Sequence, residues 1–234
     1  MKGVVPMLYT IGDLHLSLNS DKNMDVFGGT WVNYVNKLKE GFYHLNDDDV
    51  CVICGDISWG MSLQESLEDF KFIDALPGKK LILKGNHDYW WTTLSKMNKF
   101  LADNSFDTIT ILNNTAISYE NAAICGTRGW WVREDMSEED IRILEREKIR
   151  LVLSCEAAAK HHKERIIVGL HYPPVDRNGE HREFLEILKE YKVDTCVYGH
   201  LHSHSHKTAV IGDVEGVDMK LVSGDFVDFT PILV

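Results

Sequence analysis

Along the first hundred residues, short apolar runs alternate with longer stretches of helical period. Met7 to Ile11, Val50 to Cys54 and Lys80 to Lys84 each read as a short buried strand. Between them, Trp31 to Leu45 carries apolar residues at Trp31, Tyr34, Val35, Leu38, Phe42 and Leu45, close to helical spacing. Leu63 to Leu76 predicts a second helix, stopped by Pro77-Gly78, and Thr93 to Ala102 a third. Repeated strand and helix implies parallel strands joined by right-handed crossovers.

The pattern then changes. Thr108 to Leu112, Ala116 to Tyr119 and Ala122 to Cys125 follow one another too closely for intervening helices and predict antiparallel hairpin strands. Ser137 opens a long helix whose first turn holds Glu138, Glu139 and Asp140, where negative charge suits the helix dipole. With no Gly or Pro to stop it, that helix is expected to run to about Lys163. Arg165 to Leu170 and Thr195 to Tyr198 predict further strands, separated by a helix near Arg182 to Tyr191. Lys207 to Val234 alternates apolar and polar residues between glycines and predicts strands only. No linker or repeat divides the chain. Residues 1–234 therefore read as a single α/β domain, two packed sheets between helices.

Composition changes this picture little: 44% hydrophobic and 26% charged residues are ordinary for a soluble globular protein. The net charge of -11 is more informative, because it argues against a sequence-independent grip on long nucleic acid. A nucleotide substrate stays open, since bound cations invert the local field. No apolar run approaches the roughly 20 residues needed to cross a bilayer, so no membrane role is expected. Met1 to Met7 lacks the apolar core of a signal peptide, and the five cysteines are odd in number and sit in apolar surroundings. Both features predict a cytoplasmic protein with reduced thiols. Cys51 and Cys54 form a C-x-x-C, but on a predicted strand their side chains face opposite ways, which disfavours a shared metal or disulfide.

The candidate chemistry sits at the ends of the strands. Asp13-Leu14-His15, Gly55-Asp56, Gly85-Asn86-His87-Asp88, Gly169-Leu170-His171 and Gly199-His200-Leu201-His202 occur in that order, nearly all directly after an apolar run. In open α/β sheets, ligands bind outside the carboxyl ends of strands. Carboxylates, a carboxamide and imidazoles are oxygen and nitrogen ligands for divalent first-row metals. An Asp after Gly is also a common turn residue, and a lone His is often structural, so the ordered set carries more than any member.

With these motifs the chain resembles the calcineurin-like metallophosphoesterase superfamily, whose pattern is D-x-H, G-D, G-N-H-[DE], H and G-H-x-H. The resemblance runs from Asp13 to His202. It implies a four-layer αββα sandwich with two mixed sheets, and two divalent metal ions, with Mn, Fe or Zn expected. By matching position, it assigns Asp13, His15 and His202 to the first metal and Asn86, His171 and His200 to the second, with Asp56 bridging. It leaves His87 free to assist the leaving oxygen, and places Asp88 behind His87 to fix its ring, although Asp88 reads equally as a helix cap. The implied reaction is hydrolysis of a phosphodiester or phosphomonoester, by in-line attack of a hydroxide shared between the metals. The expected partner is a small phosphorylated substrate.

Outside the motifs, Trp59, Trp90, Trp91, Trp130 and Trp131 fall just after predicted strand ends and read either as packing or as an aromatic wall for a planar group. Trp59 and Arg128 are the substrate candidates, Arg128 because its guanidinium can fork onto a phosphate. Arg177 and His181 are weaker candidates, His204 and His206 read as solvated, and Glu145 and Glu147 as the wet face of a helix. Protein phosphatases of the superfamily carry Gly-Asp-x-x-Asp-Arg-Gly, whereas this chain has Gly55-Asp56-Ile57-Ser58-Trp59-Gly60, which points away from phosphoprotein substrates. The competing reading is a non-catalytic interaction scaffold on the same fold, disfavoured because every ligand position and His87 are present.

Overall fold

A computed structural model describes residues 6–20 and 22–234. In chain order, β1 (Leu8–Ile11), α1 (Tyr34–Phe42), β2 (Val50–Ile53), α2 (Leu67–Asp74), β3 (Lys79–Ile82), α3 (Leu94–Asp103) and β4 (Ile109–Ile111) build the first half. The second half contains β5 (Ala116–Tyr119), β6 (Ala122–Thr127), α4 (Glu138–Ala159), β7 (Arg165–Leu170), α5 (Glu183–Glu190), β8 (Thr195–Tyr198), β9 (Gly212–Val214), β10 (Val217–Leu221) and β11 (Ile232–Leu233).

These strands form two mixed sheets, ordered β11-β1-β2-β3-β4 and β5-β6-β7-β8-β10-β9. The β1, β2, β3 and β4 neighbours run parallel, as do β6, β7, β8 and β10, while β11, β5 and β9 are antiparallel edge strands. The side chains of β2 show how the layers stack. Cys51 and Ile53 point into the core shared with α1, α2 and α3. Val50, Val52 and Cys54 point the other way, onto Ile124, Val197 and Val222 of the second sheet. A third core lies between the second sheet and α4 and α5. That is the αββα sandwich, and the strand period of two explains why Cys51 and Cys54 lie in different layers. All five cysteines are buried and free.

Several sequence expectations are corrected. The strand near Thr108 to Leu112 does not join a hairpin with its successors: β4 pairs in parallel with β3, and only β5 and β6 form the antiparallel pair. The short link after β4 crosses between sheets instead of turning back within one. Helix α4 has the expected cap, with Ser137 and Asp140 in a reciprocal capping box, but ends at Ala159 because the following turn takes His162 into the left-handed region. Glu147 is not on a wet face. It is fully buried, accepting from Thr127 Oγ1 at 2.8 Å and pairing with Arg128 and Arg150. The tail begins with a 3-10 helix, Ser203–Thr208, before its strands. No helix among the described residues is long and apolar enough to cross a membrane.

Candidate metal centre

Five strands end on one crevice. Asp13 and His15 follow β1, Asp56 follows β2, Asn86 and His87 follow β3, His171 follows β7, and His200 and His202 follow β8. Asp13, His15, Asp56 and His200 all have positive φ, a left-handed turn that swings the chain sharply out of its strand. The turns are stitched together by main-chain bonds, Asp13 N–H to Gly55 O and His15 N–H to Asp56 O, both at 2.9 Å. Two motif glycines have a steric reason. A Cβ on Gly85 would run into Asp56, and one on Gly199 would run into the Asp13 carboxylate.

The donor atoms form two groups. On one side, His15 Nε2 lies 3.3 Å from His202 Nε2, and Asp13 Oδ1 is 3.4 Å from His202 Nε2. On the other, Asn86 Oδ1 is 2.7 Å from His171 Nε2 and 3.0 Å from His200 Nδ1, with the two ring nitrogens 3.2 Å apart. Asp56 Oδ2 stands between them, 3.6 Å from His15 Nε2 and 3.6 Å from His171 Nε2. Main-chain donors hold the carboxylates in place: His87 N–H on Asp56 Oδ1 at 2.7 Å, and His200 N–H on both Asp13 oxygens. Asp13 also belongs to a donor group with Asp56 and His171, so it lies near both halves.

The electrostatics favour added positive charge. Burial, and then the nearby Asp13, push Asp56 up to about 8. Burial also opposes ionisation of Asp13, but His202, His171 and His15 outweigh it and hold that carboxyl below the ordinary value. Burial and then His171 drive His200 down to about 3, whereas for His202 burial is overridden by Asp13 and Asp225, which raise it to about 10. Ring nitrogens facing each other across about 3 Å cannot all be donors. Their lone pairs and the two carboxylates fit a pair of cations, so the donor set suits the metals that the motifs imply.

The surroundings are aromatic. Trp59 stacks on His15 with centroids 5.1 Å apart and lies 4.4 Å from His87. Trp31 meets both His15 and His202 edge-on, Tyr172 packs 4.2 Å from His200, and Trp131 lies 5.6 Å from His200. Trp90, by contrast, is a core residue against Phe70.

A family model for calcineurin-like phosphoesterases matches residues 8–204. The chain belongs to that family. No curated protein matches it. Among solved structures, the calcineurin-like chain is similar to a protein of unknown function, AQ665, from Aquifex aeolicus, at 17% identity over 97% of this chain and 95% of that one, with a TM-score of 0.50. It is also similar to TT1561 of Thermus thermophilus, at 11% identity over 85% and 83% of the two chains, with a TM-score of 0.55. Both likenesses concern the fold.

Within this phosphoesterase frame, two expected placements differ. Asp88 does not sit behind His87. Its carboxylate accepts from the main-chain N–H groups of Gly85, Ile57 and Ser58 and from Trp90 Nε1, so it organises the two loops, while His87 Nδ1 is buried without a partner among the described residues. Arg128 pairs through one terminal nitrogen with Glu147 at 3.2 Å and lies over the Trp130 ring at 4.5 Å, its Nε being buried without a partner among the described residues, and its carbonyl accepts from His171 N–H. The arginine that lines the cleft with His200 is Arg133.

Two contributors escaped the sequence reading. Asp225 Oδ1 accepts from His202 Nδ1 at 2.8 Å, while its Oδ2 accepts from Ser203 N–H at 3.0 Å and lies 3.3 Å from His206 Nε2. Trp31 lines the same ring. Gly224-Asp225 after β10 repeats the glycine-aspartate signature of Gly12-Asp13 and Gly55-Asp56, a signal that was available.

Proposed function

We propose that this protein is a binuclear metal-dependent phosphoric ester hydrolase. The observation that carries the reading is the convergence of seven donor side chains on one crevice, in two groups that share Asp56 Oδ2. Asp13, His15 and His202 would hold one cation and Asn86, His171 and His200 the other. Bound there, the cations would supply Lewis acidity toward the phosphoryl oxygens and a water ionised at neutral pH.

The chain's own residues supply position and hydrogen bonds. His202 is oriented by Asp225, and His171 by the Cys54 carbonyl at 3.0 Å from its Nδ1. Burial, and then the neighbouring His171, hold His87 below the ordinary histidine value, so at neutral pH it is a neutral ring. Its role is to offer an N–H to the leaving oxygen, with Trp59 as the wall that fixes the ring. Five buried free thiols favour a reducing compartment, the cytoplasm.

The test is hydrolysis of bis-p-nitrophenyl phosphate and p-nitrophenyl phosphate by metal-stripped protein with and without Mn²⁺. Turnover that appears only with metal and disappears in Asp56→Asn is expected, and the preferred ester separates diesterase from monoesterase. No metal bound at stoichiometric level and no turnover of either ester would instead favour the interaction scaffold.

A further inference from the structure

Helix α4 covers the outer face of the second sheet, and its buried side follows the helical period through Leu144, Leu151, Cys155 and Ala158. Glu147 falls on that same side and is fully buried. Core packing alone does not call for a carboxylate here. A buried ion pair can often be replaced by well-packed apolar side chains with no loss of stability, because desolvating the charges offsets their attraction.

The contacts of this carboxylate lead toward the donor cluster. Its Oε2 accepts from Thr127 Oγ1 at 2.8 Å, and its Oε1 pairs with Arg128 at 3.2 Å and Arg150 at 2.6 Å. Two turns further along α4, Ser154 Oγ donates to the Gly126 carbonyl at 3.0 Å. The helix is thus tied to Gly126, Thr127 and Arg128, where β6 ends. From Arg128 two routes reach one half of the cluster. Its carbonyl accepts from the N–H groups of His171 at 3.0 Å and Tyr172 at 2.9 Å. Its guanidinium lies 4.5 Å from the Trp130 ring, Trp130 lies 5.3 Å from Tyr172, and Tyr172 lies 4.2 Å from His200. In the other half, the N–H groups of Asp13 and His15 are held by the Gly55 and Asp56 carbonyls that follow β2.

On the binuclear reading of the site, we infer that Glu147 is a positioning residue for its second half. By anchoring the Arg128 side chain it fixes the carbonyl that holds His171 and, through Trp130 and Tyr172, the ring of His200. Glu147 touches none of the donor atoms and acts only through Arg128. Without its charge, Arg128 and Arg150 would face each other with nothing to balance them, and the Arg128 guanidinium would leave the Trp130 face. A residue that served stability alone would loosen the whole domain when replaced. A positioning residue loosens one half of the cluster and spares the other.

Two variants cut the link from opposite ends. Glu147→Gln keeps the shape of the side chain and removes its charge, whereas Arg128→Met leaves Glu147 its bonds to Thr127 and Arg150 and so guards against a variant that fails to fold. Circular dichroism would verify folding, and amide hydrogen exchange would be followed by NMR in the metal-free full chain. In each folded variant the His171 and Tyr172 amides are expected to exchange about tenfold or more faster, with the Asp13 and His15 amides at their wild-type rates. Zn²⁺ titration read on the histidine ring signals should then show roughly 10–100-fold weaker binding at His171 and His200 and unchanged binding at His15 and His202. Unchanged His171 and Tyr172 exchange in either folded variant, or equal acceleration at Asp13 and His15, would overturn the proposal. So would Zn²⁺ affinity retained at His171 and His200, or lost equally from both halves. A wild-type protein that binds no Zn²⁺ would instead refute the binuclear reading, and the amide rates, measured without metal or turnover, keep the two failures apart.

Discussion

The two halves of the donor cluster use similar residues and hold them by different means. On the side of Asp13, His15 and His202, the outer nitrogen of His202 rests on a buried carboxylate, Asp225. On the side of Asn86, His171 and His200, the outer nitrogen of His171 rests on a neutral main-chain carbonyl of Cys54. A carboxylate raises the basicity of the ring that it touches and a carbonyl does so less. The rings differ in the same sense: against its burial, Asp13 and after it Asp225 raise His202 to about 10, whereas burial holds His171 below the ordinary histidine value despite Asp13 and the Cys54 carbonyl. A cation on the first side must displace a proton. On the second side it meets rings already bare. Sites that look alike by residue type are therefore unequal in charge and in proton cost.

The largest test ignores that inequality. Asp56 faces both halves, so Asp56→Asn is expected to weaken both metals together and to lower turnover on the order of 1000-fold. Metal titrations that lose only one site would show that Asp56 does not bridge. Next in size, Asp225→Asn should weaken the first site by roughly 10–100-fold while leaving the second near its original affinity. Equal weakening of both would erase the asymmetry.

Proton release gives a finer reading. Asp56 at about 8 and His202 at about 10 both lie above neutrality, so both carry protons at pH 7 in the metal-free protein. Loading metal at pH 7 should expel them, as calorimetry in buffers of different ionisation heat would detect. The release should shrink as pH passes 8 and again toward 10, and Asp225→Asn should reduce the His202 share. The smallest expected effect is that of Cys54→Ala. It removes a buried thiol, costs about 1 kcal/mol of stability in chemical denaturation, and leaves metal binding unchanged because the carbonyl belongs to the main chain.

Much of the site was legible in one dimension because its chemistry is tied to strand ends, and strand ends are local. An apolar run, a glycine and a carboxylate, carboxamide or imidazole residue mark Asp13, Asp56, Asn86, His171 and His200 one by one. Asp225 carries the same mark after β10 but lacks the family spacing that made the others stand out. Arg128 and Asp88 show the limit of adjacency. Asp88 follows His87 in sequence, yet its carboxylate turns toward the Gly85, Ile57 and Ser58 amides, and Arg128, at the end of β6, turns its side chain toward Glu147.

The alternation of buried runs and helical periods was enough to predict the order of elements and the parallel pairing of β1, β2 and β3, because these follow from period and apolar content, while the four-layer αββα arrangement is what the family resemblance implies. Only the tertiary structure decided which sheet takes β4, where β11 returns, and which partners hold His202 and His171. Those contacts join segments far apart in the chain, such as Cys54 with His171, and their choice depends on the packing of both sheets at once. Residue type and spacing carry no record of that packing, so the inequality of the two halves became visible only in three dimensions.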